Sequence, residues 1–590
     1  MLHQTKIYLP NEVIHLKKLL KYLKGYGREC VLAPLFKMLE AAFELLIPLV
    51  VAKIVDIGIA SGDRGYLVKM CLVMVLLGVV GLASSVTAQF YAAKAAVGFS
   101  ARLRHALLEH ILGLSYTQID TLGTSTMVTR MTADVNQTQN GVNLTLRLLL
   151  RSPFVVFGAM IMAFTIDLKA AMVFVGVIPV LCLVVFGIML ITMPMYKRVQ
   201  AGLDKVTSAT RQNLTGVRVL RAFCKEEDEV EGFCADAQDL TNRQLQAGRI
   251  SALMNPLTYV IINIAVIVLM QVGAVKVQTG VLSQGLVVAL YNYMSQILVE
   301  LIKMANLIIT MTKAVASGNR IQAVFEIQPD HAEGWDTPRE SRGAVEFRDV
   351  SAQYAGAAAP SLEHISFGVK PGQTVGVIGG TGSGKTTLVN LIPRFYEVSR
   401  GQVLVDGVDV SHMDKQTLRG CVGIVPQKAV LFKGTIGENL RWGNENATDD
   451  ELWEALDLAQ AREVVKDKEG ELNAPVEQGG ANFSGGQRQR LTIARALVSK
   501  PKILILDDSA SALDYATDAK LRMAIRGMKN PPTTFIVSQR AASVRYADLI
   551  LVLDDGHLAG IGRHDDLLES CPVYQEIYYS QFPKEVASHG

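Results

Sequence analysis

The usual patterns of metal and disulfide scaffolds are missing from this chain. Its 590 residues include seven cysteines, Cys30, Cys71, Cys182, Cys224, Cys234, Cys421 and Cys571. They are scattered, with no Cys-x-x-Cys and no paired histidine cluster, which argues against a disulfide framework or a structural zinc site. An excess of one charge is missing too. The 58 Lys and Arg against 55 Asp and Glu leave a net charge of +3, so charge points to no nucleic-acid partner. Met1–Arg28 is polar and basic and lacks an apolar core of about 7–15 residues followed by a small-residue cleavage site, so no removable signal peptide is expected. No internal repeat or low-complexity tract stands out.

Apolar residues are what the chain has in excess. Half of it is hydrophobic and the mean hydropathy is +0.27, more apolar than soluble domains of this length. Between Val31 and Thr312 the sequence returns repeatedly to apolar runs of about 20 residues, the length that crosses a bilayer core as helix. Six are expected: Val31–Val55, Tyr66–Tyr91, Leu148–Thr165, Ala170–Tyr196, Leu253–Val275 and Gly285–Thr310. Lys17, Lys18, Lys21, Lys24 and Arg28 precede the first. Lys94, Arg102, Arg104, Arg130, Lys197, Arg198, Lys205, Arg211 and Arg218 lie in the two long connections. The alternate short connections carry mainly Arg64, Lys169 and Lys276. The positive-inside rule then places the long connections and both termini in the cytoplasm. Those connections, Ala92–Arg147 and Lys197–Ala252, are nearly free of proline and glycine clusters and are expected to be helical.

Beyond Gln328 the character changes. Residues 329–343 are polar and turn-rich, and after them short β-rich runs (Val345–Phe347, Thr374–Ile378, Ile503–Leu506, Thr534–Val537, Leu549–Leu553) alternate with helical stretches, as in an α/β domain. The expected division is a membrane domain at 1–327, a linker at 328–342 and a nucleotide-binding domain at 343–590.

The run Thr374–Ile378 leads directly into Gly379, Gly380, Thr381, Gly382, Ser383, Gly384, Lys385, Thr386 and Thr387. This is G-x-x-x-x-G-K-[ST] in a strand-to-helix setting, a P-loop. Its glycines free backbone amides to wrap phosphate oxygens, Lys385 reaches the outer phosphates and the Thr386 hydroxyl can ligate Mg2+. Further on, Ile503–Leu506 is an apolar run ending in Asp507, a carboxylate placed to hold the magnesium water shell.

Between these two lie Val425-Pro426-Gln427 and Phe483-Ser484-Gly485-Gly486-Gln487, and after them Ser511-Ala512-Leu513-Asp514. In that order the motifs resemble the ATP-binding cassette (ABC) ATPase across the C-terminal domain. Six spans ahead of one cassette resemble an ABC exporter half-transporter. The fold class implied is an all-α six-helix transmembrane domain of the type IV exporter kind, followed by an α/β P-loop ATPase domain. The cofactors implied are ATP and Mg2+. By the same resemblance Tyr354 stacks on adenine, Gln427 completes the magnesium shell, and Asp514 belongs to the nucleotide-contacting set. Ser484, Gly485, Gly486 and Gln487 close over the ATP held by an opposite cassette. One cassette cannot complete a site alone, so a second half-transporter subunit is implied, together with membrane lipid and a small-molecule or peptide substrate.

Two residues depart from the family pattern. Where competent members carry a glutamate that polarises water and a histidine that contacts the γ-phosphate, this chain has Asp508 and Gln539. An aspartate retreats by about 1.5 Å, and misplacement of that order costs roughly 100-fold. Glutamine cannot carry histidine's charge or shuttle its proton. The expectation is a heterodimer in which this chain's own site binds ATP but hydrolyses it slowly, paired with a partner bearing Glu and His. Phe483 in place of the family's leucine should matter little.

Residues 120–124 with 130–135, and 216–223, resemble the exporters' cytoplasmic coupling segments, expected to seat near Gln427 and Glu477–Gly480. In the first and sixth spans, Lys37, Glu40, Glu44, Asn292, Gln296, Glu300, Lys303 and Asn306 form polar stripes. Each central charge facing lipid would cost about 2.5–3.5 kcal/mol, so these should face protein or a wet cavity. Alternatives left open are an importer of metal-chelate type on the same fold and a non-transporting regulatory or channel-like subunit. The cargo, whether drug-like, lipid or peptide, is not legible.

Overall fold

In the computed structural model, residues 18–329, 341–354 and 356–582 are described. Lys17 and most of the expected linker lie outside them. The chain divides into two compact units, one of residues 1–112 and 124–327, the other of residues 113–123 and 328–590.

The first unit is helical throughout. Its long helices are Gly27–Lys53, Arg64–Gly113, Leu168–Thr215, Glu226–Ala252, Met254–Gln278 and Gln284–Phe325, with Val135–Leu148 and Arg151–Ile166 between them. The expected long connections are helical continuations. Arg64–Gly113 runs for 50 residues, about 75 Å at about 1.5 Å per residue, far more than the roughly 30 Å bilayer core needs. Among the described residues, five helices are long and apolar enough to cross a membrane, against six expected. The first expected span is helical over Gly27–Lys53 but is not one of those five. Lys37, Glu40 and Glu44 interrupt its apolar run.

Burial separates peripheral from central helices. The most apolar window of Arg64–Gly113 is 6% buried, whereas that of Gln284–Phe325 is 56% buried. Leu72, Val75, Leu76 and Val79 are accordingly exposed, as a helix presented to hydrocarbon requires. Around the central helix Ala41, Leu45, Ala159, Phe174, Tyr293 and Met294 form a continuous core, and Tyr293 satisfies its hydroxyl on the Leu45 carbonyl at 2.6 Å. A glycine allows close helix approach here: a Cβ on Gly285 would collide with the Ala52 carbonyl oxygen.

The charged members of the polar stripes pair, whereas Gln296 Oε1 is buried without a hydrogen-bond partner. Lys37 donates to Glu40 at 2.6 Å and to Ser85 at 3.2 Å. Arg151 is buried between Glu300, which it pairs with directly, and Glu44 at 2.6 Å. Ser152 and Lys303 also donate to Glu300, at 3.0 and 2.8 Å. Asn306 is exposed. Three helices, Gly27–Lys53, Arg151–Ile166 and Gln284–Phe325, are therefore joined through one guanidinium.

The second unit carries two main sheets. A six-stranded sheet runs in the order His557–Gly562, Leu549–Asp554, Thr374–Gly379, Thr533–Val537, Ile503–Asp507, Val422–Val425. It is parallel except at its His557–Gly562 edge. A four-stranded antiparallel sheet is built from Leu362–Val369, Val345–Ala352, Arg400–Val405 and Val408–Asp409. The parallel strands Thr374–Gly379, Ile503–Asp507 and Thr533–Val537 are buried in near-continuous apolar runs, the signature of a sheet covered on both faces.

The segment 113–123 contains a short helix, Tyr116–Leu122, opened by a Ser115/Gln118 capping box. Its Tyr116 ring stacks on Phe395 at 4.5 Å, and its Asp120 accepts from the Tyr396 hydroxyl at 2.9 Å. These are not the residues expected to receive it. The second short helix, Val217–Ala222, belongs to the first unit. Leu214 and Phe223, which flank it, are 72% and 73% exposed.

Removing one member of the buried charge cluster strands the others. Glu300→Gln should lower stability in detergent by about 3 kcal/mol, while the double change Arg151→Met with Glu300→Met should recover most of the loss. Thermal unfolding of the purified variants checks both.

Candidate nucleotide site

Parallel register brings the functional residues to one edge. Val537 lies opposite both Val377 and Asp507, so the chain leaves all three strands at the same level, through Gly379, Asp508 and Ser538. In open parallel sheets this carboxyl edge is where ligands bind.

The loop from Gly380 to Gly384 follows the central strand and opens the helix Lys385–Leu391. Gly382 and Gly384 have φ of +85° and +93°, a region side chains avoid. A Cβ on Gly384 would also lie 2.6 Å from the Ser361 carbonyl, whereas one on Gly382 would meet nothing. The loop is thus tight against its own domain on one side and open on the other.

Lys385 is buried, and its ammonium donates to the carbonyls of Gly379 at 3.0 Å and Gly380 at 2.5 Å and to Ser383 Oγ at 3.4 Å. Burial pushes its pKa down, and the charges of Asp508 and Asp507 only partly oppose this. Thr386 donates its hydroxyl to Asp507 Oδ1 at 3.0 Å. Asp507 is buried, and burial raises its carboxyl pKa despite the Thr386 bond. Thr387 meets the Tyr354 hydroxyl at 2.9 Å.

Asp508 sits with φ of +46°, unusual for a residue with a side chain. Its amide donates to Val537 O at 3.0 Å, and Gln427 Nε2 approaches its carboxylate at 3.5 Å. Gln539 is exposed just beyond the strand end, its carbonyl held by Gln581 at 2.8 Å.

A cavity of about 320 Å³ gathers Tyr354, Thr381, Gly382, Gly384, Lys385, Thr386, Thr387, Gln427, Asp507, Asp508 and Gln539. Gly379, Gly380 and Ser383 act behind it, as the cradle of Lys385. Ser484, Gly485, Gly486 and Gln487 do not line it. Ser484 caps the helix Gly485–Val498 in a reciprocal box with Gln487, at 2.9 and 3.3 Å, at a corner where Ser484 and Gly485 are exposed. Asp514 does not line the cavity either. Its carboxylate caps the helix Tyr515–Arg526 through Thr517, at 2.9 and 2.7 Å.

Sequence reasoning passed over Arg540. It donates to the Leu513 and Ser511 carbonyls at 3.3 and 3.2 Å and lies over the Tyr515 ring at 5.2 Å. It therefore ties the segment carrying Gln539 to Ser511–Asp514. Its position next to Gln539 was the one available signal.

The donor set fits a nucleoside triphosphate with magnesium. Lys385 is a desolvated cation beside open glycine backbone. Thr386 and Asp507 supply one hydroxyl and one carboxylate, with Gln427 nearby. Among the described residues no group of three His, Cys, Asp or Glu could hold a metal, so Mg2+ here would take phosphate oxygens as further ligands. The metal would supply charge neutralisation at the outer phosphates.

Membrane-length helices joined to a P-loop sheet define a membrane protein with a nucleotide-binding domain. Comparison with known proteins narrows this. The chain matches the ABC transporter transmembrane region over residues 30–301 and the ABC transporter domain over residues 362–511. It is 35% identical to the ABC transporter ATP-binding protein YfiB of Bacillus subtilis (strain 168), over 97% of this chain and 99% of that one. It is 26% identical to an ATP-dependent lipid A-core flippase of Vibrio vulnificus (strain CMCP6), over 96% of this chain and 97% of the other. Its fold matches a bacterial Atm1-family ABC exporter with ATP bound at a TM-score of 0.77 and 23% identity, over 94% and 98% of the two chains. The chain belongs to the ABC transporter family and has the architecture of an exporter half-transporter.

Asp507 yields a prediction with a defined sign. Because folding raises its carboxyl pKa, stability without nucleotide falls as pH rises from the ordinary carboxylate range to that raised value. Asp507→Asn should therefore be more stable than the wild type at pH 7, with the advantage vanishing in acid. It should also lose the Mg2+ dependence of ATP binding. Thermal melts against pH, and ATP titrations with and without EDTA, measure the two effects.

Proposed function

We propose that this chain is one half of a heterodimeric ABC exporter that uses ATP to move a drug-like, lipid or peptide cargo across the cell membrane, and that its own ATP site is degenerate. Residues 1–327 form the membrane domain, 328–342 the linker and 343–590 the ATPase domain, with the ATPase domain and both termini cytoplasmic. Tyr354 stacks on the adenine, Gly379–Gly384 and Lys385 hold the phosphates, and Thr386, Asp507 and Gln427 hold Mg2+.

The observation that carries the reading is Asp508. It lines the cavity directly after the Asp507 strand end, where a water-activating carboxylate belongs, but with a short side chain on a left-handed backbone. Gln539, lining the same cavity, cannot supply a switching proton. Each such role is worth roughly 10²–10⁴-fold, so ATP is bound tightly here and cleaved slowly. Ser484–Gln487, away from this chain's own cavity, serve the partner's ATP through the amides of the helix they open. The exposed Leu214 and Phe223 beside the second short helix support a partner that covers them. Lipid flippase names among the relatives favour an amphipathic cargo.

The test is asymmetric turnover. The purified chain alone should hydrolyse ATP slowly, and Asp508→Asn should change that rate by less than about twofold. Within the assembled pair, Gly486→Glu in this chain should lower turnover on the order of 100-fold. Brisk hydrolysis by this chain alone that Asp508→Asn abolishes would sink the proposal.

A further inference from the structure

The base end of the nucleotide cavity is wired to the 113–123 segment within the second unit. The wiring starts from a rigid turn. Arg394, buried and with φ of +51°, donates to Ser411 O at 2.7 Å and pairs with Glu397 at 2.8 Å. Arg419 donates to the Pro393 and Arg394 carbonyls, both at 3.3 Å, and lies over the Phe395 ring at 5.3 Å. Two guanidiniums thus strap Pro393–Tyr396, and this turn presents two rings to the segment. Phe395 stacks on Tyr116, and Tyr396 donates its hydroxyl to Asp120.

The other side of Tyr396 faces the nucleotide cavity's wall. Its ring meets Tyr354 edge-on, centroids 5.0 Å apart at 85°. Tyr354 in turn is pinned by Thr387 in the helix that begins with Lys385. Tyr354 and Thr387 also line a second cavity, about 330 Å³, whose other walls include Ser115, Thr117 and Tyr396. Tyr354 and Thr387, bonded to each other, therefore separate the nucleotide cavity from a space bordered by the 113–123 segment. Burial and the Asp120 carboxylate both push the Tyr396 phenol pKa up, which keeps the hydroxyl protonated and donating.

We infer that Tyr396 and Asp120 are positioning residues that report occupancy of the base end of the nucleotide cavity to the 113–123 segment, through the edge contact of Tyr396 with Tyr354. The inference rests on the reading that Tyr354 stacks on the ATP base. An edge-to-face pair is geometrically specific, so a purine laid on Tyr354 fixes that ring and with it the ring of Tyr396. The Tyr396 hydroxyl is committed to a charge-assisted bond, so ordering the ring orders Asp120. Phosphate contacts at Lys385 and Thr386 reach Tyr354 only through the Thr387 bond to its hydroxyl, which holds the tip of the ring and leaves its face uncovered.

Hydrogen exchange of residues 113–123, in the full chain in nanodiscs, tests it with two probes: adenylyl imidodiphosphate, which carries the base, and tripolyphosphate, which does not. In the wild type the first should slow exchange at least about fivefold and the second should not. Tyr396→Phe and Asp120→Asn should each lose the slowing while binding the analogue within about twofold of wild-type affinity. Asp120 is exposed, so its variant guards against a folding defect at Tyr396. Three results would overturn the inference alone: slowing that survives in both variants, equal slowing by tripolyphosphate, or wild-type binding without slowing. A parallel loss of affinity in both variants would reduce the two residues to a structural role. Absence of analogue binding in the wild type would overturn the ATP reading itself.

Discussion

A lysine ammonium buried against carbonyl oxygens is the constraint on which the ATPase unit depends. Lys385 is held by Gly379, Gly380 and Ser383, and burial lowers its pKa from the ordinary lysine value. Such a group is costly unless an anion neutralises it. The arrangement around it follows from that cost. The strand must end at Gly379 to turn its carbonyl toward the ammonium, Gly384 must be left-handed to start the helix under it, and the open side at Gly382 must face the incoming phosphates. Asp507 is the counterpart on the proposed metal side, its carboxyl pKa raised by burial. In the proposed ATP site, phosphate and Mg2+ would relieve both burial costs together, so nucleotide binding would stabilise the fold.

The membrane unit treats its buried charges in the opposite way, by pairing them internally. Arg151 engages Glu300 and Glu44 from two other helices, and Lys303 and Ser152 share Glu300. No charge in this cluster waits for a ligand in the manner of Lys385. Its effect is to fix which faces of three helices meet, in a setting where apolar contact alone gives little preference over lipid. Small residues at helix crossings, such as Gly285 against Ala52, supply the close approach that such pairing needs.

Legibility in the sequence followed the range of the interactions involved. The P-loop, the Asp507 strand and the apolar spans are local patterns, and a parallel sheet with Gly379, Asp507 and Ser538 at one edge is what those patterns produce. Pairing of the polar stripes could be anticipated, because a charge in hydrocarbon has few alternatives, but Arg151 as the hub could not. It sits at the start of its helix with no periodic signal. The first expected span is helical, but Lys37, Glu40 and Glu44 within it keep it out of the five apolar crossings, so apolar length alone does not settle a sixth. Asp514 belongs to the nucleotide-contacting set by motif, and its carboxylate also caps the helix Tyr515–Arg526, a use that a motif does not reveal. The seat of the 113–123 segment is not legible, because Tyr396 lies 276 residues from Asp120 in the chain and belongs with Phe395 to no short motif.

The same distinction explains how binding and hydrolysis can come apart in one site. Groups that hold phosphate are fixed by backbone: strand ends in parallel register, glycines in left-handed conformations, a lysine stem closed into its own loop. Groups that would activate water depend on single side chains projecting from strand ends, Asp508 and Gln539, whose exchange leaves the sheet, the loop and Lys385 where they are. A site can therefore keep its affinity while its chemistry lapses, but not the reverse, because losing the backbone cradle would remove both. In the proposed heterodimer that asymmetry would have a use. A nucleotide that stayed bound would keep the helix start at Ser484 and Gly486 close to the partner's phosphates, and the working site would then need only its own ATP to turn over.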